Sequence, residues 1–294
     1  RRQRQMCIRD RNYIIKQKKF IDKNINDYLS SLKIDDEILK IGMNYSILNG
    51  GKRIRPILCL AAAECFDGNI NHALLSALSI EFFHSSTLVH DDLPCMDNDI
   101  MRRGKPSCHV KFGEANAILL GDALLIESFR ILSLNNQNNL ITELANSAGA
   151  NGVIAGQIAD LASENKKPSS KMVKYIHLNK TAILIRAALR MGGLSSNINS
   201  TNLNYLSNYG EKIGLAFQIQ DDILDEISSS KEIGKPVKSD LKKSKMTYPS
   251  VYGLKKSEEM VKKLTYEAVN DLDKIKCKTD ILKELSFFLL TRKK

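Results

Sequence analysis

An all-α fold is the expectation for this 294-residue chain. Apolar residues recur at helical spacing through most of it, in stretches rich in Ala, Leu, Ile and Lys. No stretch alternates with period two for long enough to form a strand. Gly (16) and Pro (6) are too scarce for a β-sandwich or barrel, which spends them at its corners. The plainest helix is 72–90, where Leu74, Leu78 and Phe82 fall at i, i+4 and i+8 with Leu75 and Phe83 beside them. Similar runs cover 114–134, 141–162, 171–191, 201–228 and 255–290. Between the segments lie turn residues: Gly50-Gly51, Asp67-Gly68-Asn69, Arg103-Gly104-Lys105-Pro106, Asn135–Asn139, Pro168-Ser169-Ser170, Gly192-Gly193 and Gly234-Lys235-Pro236. There is no internal repeat of roughly 20–50 residues and no interdomain linker. A single bundle of about ten or more helices follows.

Residues 1–11 (RRQRQMCIRDR) stand apart. They hold five Arg and one Asp, no apolar period, and lead into NYIIKQKKF rather than an apolar core of a signal peptide. They read as a non-native leader, translated adapter sequence, which leaves 12–294 as the domain. Without them the net charge falls from +11 to +7. That balance suits an anionic substrate, nucleic acid or a membrane surface about equally. No window of about 18 residues is apolar without charge, so no membrane-spanning helix is expected. The cysteines show neither a CxxC pair nor a Cys/His metal spacing, which points to reduced thiols in a cytoplasmic protein.

Two acidic clusters interrupt apolar helical stretches, where uncompensated acids are least expected. The first is His90-Asp91-Asp92-Leu93-Pro94-Cys95-Met96-Asp97-Asn98-Asp99, followed by Arg102-Arg103-Gly104. The second is Gln218-Ile219-Gln220-Asp221-Asp222-Ile223-Leu224-Asp225. On a helix His84, Leu88 and Asp91 share a face, and Pro94 ends or bends the helix so that Asp97 swings back. Asp221 and Asp225 are neighbours one turn apart, with Gln218 a turn before. Acids gathered this way repel one another unless something positive lies among them. Mg²⁺ fits, because it takes one or two carboxylates together with phosphate oxygens and water. Two such clusters facing each other would clamp a phosphorylated substrate.

The cations sort accordingly. Gly50-Gly51-Lys52-Arg53-Ile54-Arg55-Pro56 sets two or three of them on a glycine turn suited to a multiply charged phosphate. Arg102 and Arg103 follow the first acid cluster. Lys180-Thr181, Lys235 and Lys245 are candidates in the second half.

The sequences GGKRIRP, HDDLPCMDND–RRG and FQIQDDILD, in this order and spacing, resemble the short-chain trans-isoprenyl diphosphate synthases of the polyprenyl synthetase family, the farnesyl/geranylgeranyl diphosphate synthase group. The resemblance runs from about Asp35 to Arg292, nearly the whole chain. It implies a helical bundle of isoprenoid synthase type around a deep central cavity, usually as a homodimer. By position, Asp91, Asp92 and Asp97 resemble the first aspartate-rich motif, and Asp221, Asp222 and Asp225 the second. Together these would bind three Mg²⁺ ions, with Mn²⁺ as a substitute, against an allylic diphosphate. Gly51, Lys52, Arg55, His84 and Arg103 resemble the isopentenyl diphosphate site. Arg102, Lys180, Thr181, Gln218, Lys235 and Lys245 resemble the groups that hold the allylic diphosphate.

The chemistry implied is ionisation of the allylic C–O bond, attack by the C3–C4 double bond of isopentenyl diphosphate on C1, and loss of a proton from C2 to the departing diphosphate. Gln218 and Thr181 would steady the cation through their oxygen dipoles. One departure is Lys238, which stands where the family usually shows a second glycine after Gly234.

Product length depends on what closes the cavity beneath the first motif. Ser86 and Thr87, five and four residues before Asp91, are small where farnesyl-making relatives usually carry an aromatic. The floor is then expected one turn lower, at Phe82 and Phe83, about 6 Å away and near one isoprene unit. That favours C20 over C15 and opposes C30 or longer, unless Phe112 or Phe129 supplies bulk from another helix. Three other classes fit less well. A class I terpene cyclase would not repeat the DDxxD pattern at its second metal site. A regulatory helical subunit of a prenyl synthase would be expected to lose one acid motif. A nucleic-acid-binding protein needs a basic face with few acids.

Overall fold

The computed structural model describes residues 2–232 and 246–291, with side chains for 12–227 and 246–290. Fourteen α-helices make up most of the described residues. They are α1 (Arg2–Ser31), α2 (Glu37–Leu48), α3 (Ile54–Cys65), α4 (Ile70–Asp91), α5 (Cys108–Phe112), α6 (Glu114–Ser133), α7 (Asn138–Ala148), α8 (Val153–Ser163), α9 (Ser170–Ile176), α10 (Ile183–Leu194), α11 (Ser200–Glu232), α12 (Tyr248–Tyr252), α13 (Leu254–Asp273) and α14 (Asp280–Thr291). A ribbon of two residues per strand, β1 (Met101–Arg102) and β2 (Lys105–Pro106), is the only β-structure among the described residues. No helix among them is long and apolar enough to cross a membrane.

Helix α4 is the axis of the bundle. Asn69 caps it, its side chain accepting from the N–H groups of Asn71 and His72. It is largely buried and is packed by α3, α6 and α10. Leu78, Ile80, Phe82, Phe83 and Val89 are all buried, each contributing about 1.5–3 kcal/mol of transfer free energy. Pro94 ends the helix as its missing N–H requires. The chain turns so that the Asp97 N–H donates to the Asp91 carbonyl at 2.8 Å. A second, smaller core lies under α11, where Leu215, Ile219 and Ile223 meet Val173, Tyr248 and Val261.

Three of the long apolar runs are not single helices. The 141–162 run is divided at Gly149–Gly152 into α7 and α8, and the 255–290 run at 274–279 into α13 and α14. The 171–191 run contains a π-helical stretch, His177–Ala182, between α9 and α10. The cause of this last is tertiary. α8 approaches so closely that a Cβ on Gly156 would stand 2.3 Å from the Lys180 nitrogen, and one on Gly214 of α11 would stand 2.6 Å from the Ala182 Cα. The π-helical turn is wedged between two backbones, which periodicity does not encode.

The turn before α3 is fixed from inside. Gly50 (φ 89°), Gly51 (φ 122°) and Arg53 (φ 55°) all take positive φ. Arg53 is compensated by burial of its guanidinium. Its Nε donates to Asp22 at 2.8 Å, Nη1 to Glu81 at 2.5 Å and Nη2 to the Ile47 carbonyl at 2.5 Å. Loop, α1 and α4 are thereby tied at one point. Arg53→Met strands Glu81 as an unpaired buried acid and is expected to cost about 3–5 kcal/mol. The double change with Glu81→Leu should recover most of that loss, as read from urea midpoints.

Candidate active site

The ends of α3, α4, α8, the π-helical turn and α11 surround one cavity of about 1040 Å³. Of the residues picked out in the sequence, Gly51, Lys52, Arg55, His84, Thr87, Asp91, Arg102, Arg103, Lys180, Thr181, Gln218 and Asp221 line it. Asp97 lies beside Asp91, brought there by the turn after Pro94. Lys235 and Lys245, with Lys238, lie outside the described residues.

The tandem acids divide their roles. Asp91 and Asp221 face the cavity. Asp92 is buried, held by Arg102, whose Nε donates to its Oδ1 at 2.9 Å and whose Nη2 is also in contact. Asp222 is buried too. It accepts from Gln218 Nε2 at 3.0 Å and the Tyr248 N–H at 2.8 Å, and lies 3.2 Å from His177 Nε2. Asp225 is exposed one turn beyond Asp221. Asp92 and Asp222, expected as metal ligands, are committed to protein donors, each turned about 100° from the neighbour that lines the cavity.

Burial, then nearby Asp97 and Asp92, push the Asp91 carboxyl up to about 6, although Lys180 and Arg102 pull it the other way. A carboxyl strained in this way is what a cation would relieve. Among the described residues no three His, Cys, Asp or Glu side chains converge as a cage for an ion.

Arg55 Nη1 lies 3.2 Å from His84 Nε2. Burial, and then the guanidinium groups of Arg55 and Arg103, hold His84 well below its ordinary value, so the imidazole is neutral. Arg103 belongs to the β1–β2 turn, where Arg103 (φ 54°) and Gly104 (φ 78°) give the left-handed pair that a two-residue hairpin prefers. It donates to the Gly50 carbonyl at 2.6 Å, and a Cβ on Gly51 would meet its guanidinium at 3.0 Å. Lys52, Arg55, His84 and Arg103 thus form one cationic cluster on the glycine turn. Arg53, on the same turn, faces inward.

The π-helical turn carries Lys180 and Thr181 into the cavity. Lys180 Nζ donates to Asp160 of α8 at 2.6 Å, and Thr181 Oγ1 donates to Gln218 Oε1 at 2.7 Å. The Gln218 oxygen accepts that one hydrogen bond and keeps its second lone pair. Thr181, its hydrogen spent, keeps its lone pairs.

Phe82 and Phe83 do not line the cavity. Phe82 packs edge-on against Tyr28 with ring centroids 5.4 Å apart, and both are buried in the main core. Ser86 is buried and donates to the Phe83 carbonyl at 2.7 Å. Only Thr87 of that set reaches the wall. The floor expected at Phe82 and Phe83 is corrected accordingly: α4 presents no aromatic to the cavity. Phe112 and Phe129 are not in the wall either; Phe112 packs on Tyr45. Sequence reasoning passed over Gln157, Asp160 and His177. A single polar residue in an apolar helix was their only signal.

A family model described as polyprenyl synthetase matches residues 36–285. The chain is 41% identical over 259 residues to a geranylgeranyl pyrophosphate synthase, chloroplastic, of Catharanthus roseus, covering 85% of this chain and 72% of that one. It is 42% identical over 261 residues to a farnesyl diphosphate synthase of Micrococcus luteus, covering 86% and 88%. A crystal structure of a geranyltransferase from Helicobacter pylori, complexed with magnesium and isoprenyl diphosphate, superposes with a TM-score of 0.81 at 33% identity and covers 96% of each chain.

Because the folded chain holds the Asp91 proton more tightly than the unfolded chain does, its ionisation opposes folding as pH rises from about 4 to about 6. Asp91→Asn should therefore stabilise the metal-free protein at pH 7.5 by on the order of 2 kcal/mol, seen as a higher thermal midpoint. The same change should lower turnover more than about 100-fold. Thermal scans at pH 5 and 7.5, paired with turnover, check both signs.

Proposed function

The chain belongs to the polyprenyl synthetase family, a premise from which we infer that it is a trans-prenyltransferase. It joins isopentenyl diphosphate to an allylic diphosphate (dimethylallyl, geranyl or farnesyl) and makes an all-trans C15–C20 prenyl diphosphate. One observation carries this reading: a single cavity holds both a cationic cluster on the glycine turn and two opposed acids beside Lys180. A regulatory subunit has no use for a carboxylate from each motif in the same cavity.

We propose that Lys52, Arg55, Arg103 and neutral His84, on the turn shaped by Gly51, bind the diphosphate of isopentenyl diphosphate. Lys180 and Arg102 bind that of the allylic partner, as do Lys235 and Lys245 by resemblance. Asp91, Asp97 and Asp221 would hold Mg²⁺, three ions by resemblance with Mn²⁺ as a substitute. The metal supplies neutralisation of the leaving diphosphate as the C–O bond breaks. Thr181 turns its lone pairs toward the allylic carbon. Val153, Ile154, Ile158 and Leu161 of α8 offer an apolar face to the hydrocarbon chain. The C2 proton is taken by the departing diphosphate, so no protein base is invoked. Asp92 and Asp222 act through what they hold, Arg102 and the start of α12.

Among the two product lengths we propose C20. It is supported by a small Thr87 in the wall on α4, the one phenyl ring in the lining, Phe217, coming from α11. Ile118, Leu119 and Ile126 are exposed on α6, an apolar stripe that supports a homodimer. The free thiols of Cys59, Cys65, Cys95, Cys108 and Cys277 support a reducing compartment such as the cytoplasm. We also propose that 12–294 belongs to one isoprenyl diphosphate synthase domain.

Product analysis tests the reading. With Mg²⁺, isopentenyl diphosphate and farnesyl diphosphate, a C20 alcohol is expected after dephosphorylation, and chelation of the metal should abolish it. C15 alone, from shorter starters, would keep the enzyme class and end the C20 proposal. No condensation with any starter would end both. Thr87→Phe should shorten the main product by one isoprene unit, to C15, with the total rate of isopentenyl diphosphate use changed less than about threefold.

A further inference from the structure

Four side chains tie the π-helical turn to α11 in two rungs. His177 and Thr181 stand four residues apart on the turn, and Gln218 and Asp222 four apart on α11. Thr181 Oγ1 donates to Gln218 Oε1 at 2.7 Å, and His177 Nε2 lies 3.2 Å from Asp222 Oδ2. The rungs are joined along α11, where Gln218 Nε2 donates to Asp222 Oδ1 at 3.0 Å. Thr181 and Gln218 line the cavity, whereas His177 and Asp222 are buried behind them and do not. Tyr248 of α12 braces the buried rung. Its N–H donates to Asp222 Oδ2 at 2.8 Å, and its ring stacks on His177 with centroids 6.0 Å apart.

The direction of these bonds settles which way the Gln218 amide is turned. A hydroxyl either donates or accepts, so Thr181 could pair with the amide oxygen or with its nitrogen. A carboxylate only accepts, so Asp222 draws the nitrogen and leaves the oxygen to Thr181. Asp222 does this only while its own second oxygen is held in place. Of the two donors at that oxygen, the Tyr248 N–H comes from α12, and His177 comes from the turn that carries Thr181. We propose that His177 is a positioning residue for this reaction: by holding Asp222, it keeps the Gln218 amide nitrogen turned away from Thr181 and the amide oxygen beside it. Two oxygens side by side suit an allylic carbon that turns positive, and an N–H in place of one would oppose it. The inference rests on the prenyltransferase reading above and deepens it.

The test measures single-turnover condensation of geranyl diphosphate with isopentenyl diphosphate in His177→Met, His177→Phe and His177→Gln. Binding of a non-hydrolysable geranyl thiodiphosphate and the thermal midpoint are measured alongside. Met and Phe carry no donor, and Phe keeps a ring against Tyr248. Both should slow the single turnover about 10- to 100-fold, with affinity for the thiodiphosphate and KM for isopentenyl diphosphate within about twofold. Gln has an N–H that reaches Asp222 and should recover most of the rate. The decisive arm repeats His177→Phe in a Gln218→Met background. With the amide gone, the second change should slow the reaction less than about twofold further, a non-additivity that a packing role would not give. An unchanged rate in the Met and Phe variants would overturn the proposal. So would an equal fold-loss in both backgrounds, a Gln variant as slow as the Phe variant, or a weakened thiodiphosphate affinity that accounts for the loss. If the Met and Phe variants do not fold, His177→Gln is compared with His177→Asn, whose shorter amide stops short of Asp222, and equal rates overturn the proposal. If the unaltered protein condensed nothing, the reading beneath would fall with it; turnover in the wild type with equally fast His177 variants would remove this inference alone.

Discussion

Like charges in a confined space set the terms for this molecule. α4 and α11 each bring adjacent aspartates to one cavity, and four carboxylates facing one another there would repel. Helical geometry resolves the conflict by sending one of each pair inward and its neighbour into the protein. The two that turn away are not idle. Asp92 gathers Arg102 and with it the β1–β2 ribbon, while Asp222 gathers Gln218, His177 and the first turn of α12. The acids that face the cavity are thus fixed by the acids that do not.

A comparable division operates among the cations. Lys52 and Arg55 face the cavity, but Arg53 between them is spent on Asp22, Glu81 and the Ile47 carbonyl. The pair with Glu81 is worth less as net stability than as a position, since buried ion pairs roughly break even against desolvation. What it secures is a left-handed turn. His84 completes the cluster as a neutral group because four guanidinium groups already surround it, so the repulsion that would otherwise oppose the assembly is kept down.

The sequence displayed much of this in advance. The acid clusters, the glycine turn, the RRG segment and the Lys180-Thr181 pair could all be picked out by residue type and spacing, and the structure brings members of each to one cavity. What spacing could not supply was helical phase at the ends of elements. Asp91 and Asp92 look equivalent in a string of letters, as do Asp221 and Asp222, until the axis of each helix is fixed by its packing. Phe82 and Phe83 misled for the same reason: a turn below Thr87 on α4 means deeper in the core, not lower in the cavity. His177 and Asp160 gave no pattern at all, because their meaning lies in what another helix places opposite them.

The π-helical turn at His177–Ala182 amounts to one residue too many in an otherwise regular helix. Gly156 and Gly214 hold that surplus in place by pressing on it from both sides, and His177 is braced against Asp222. Loss of any single residue from this stretch would let α9 and α10 run together as a continuous α-helix with its usual bonding. Such a chain would fold without complaint, yet Lys180 and Thr181 would turn away from the cavity. The catalytic arrangement is kept by an irregularity that a shorter chain would heal, so the number of residues here matters as much as their identity.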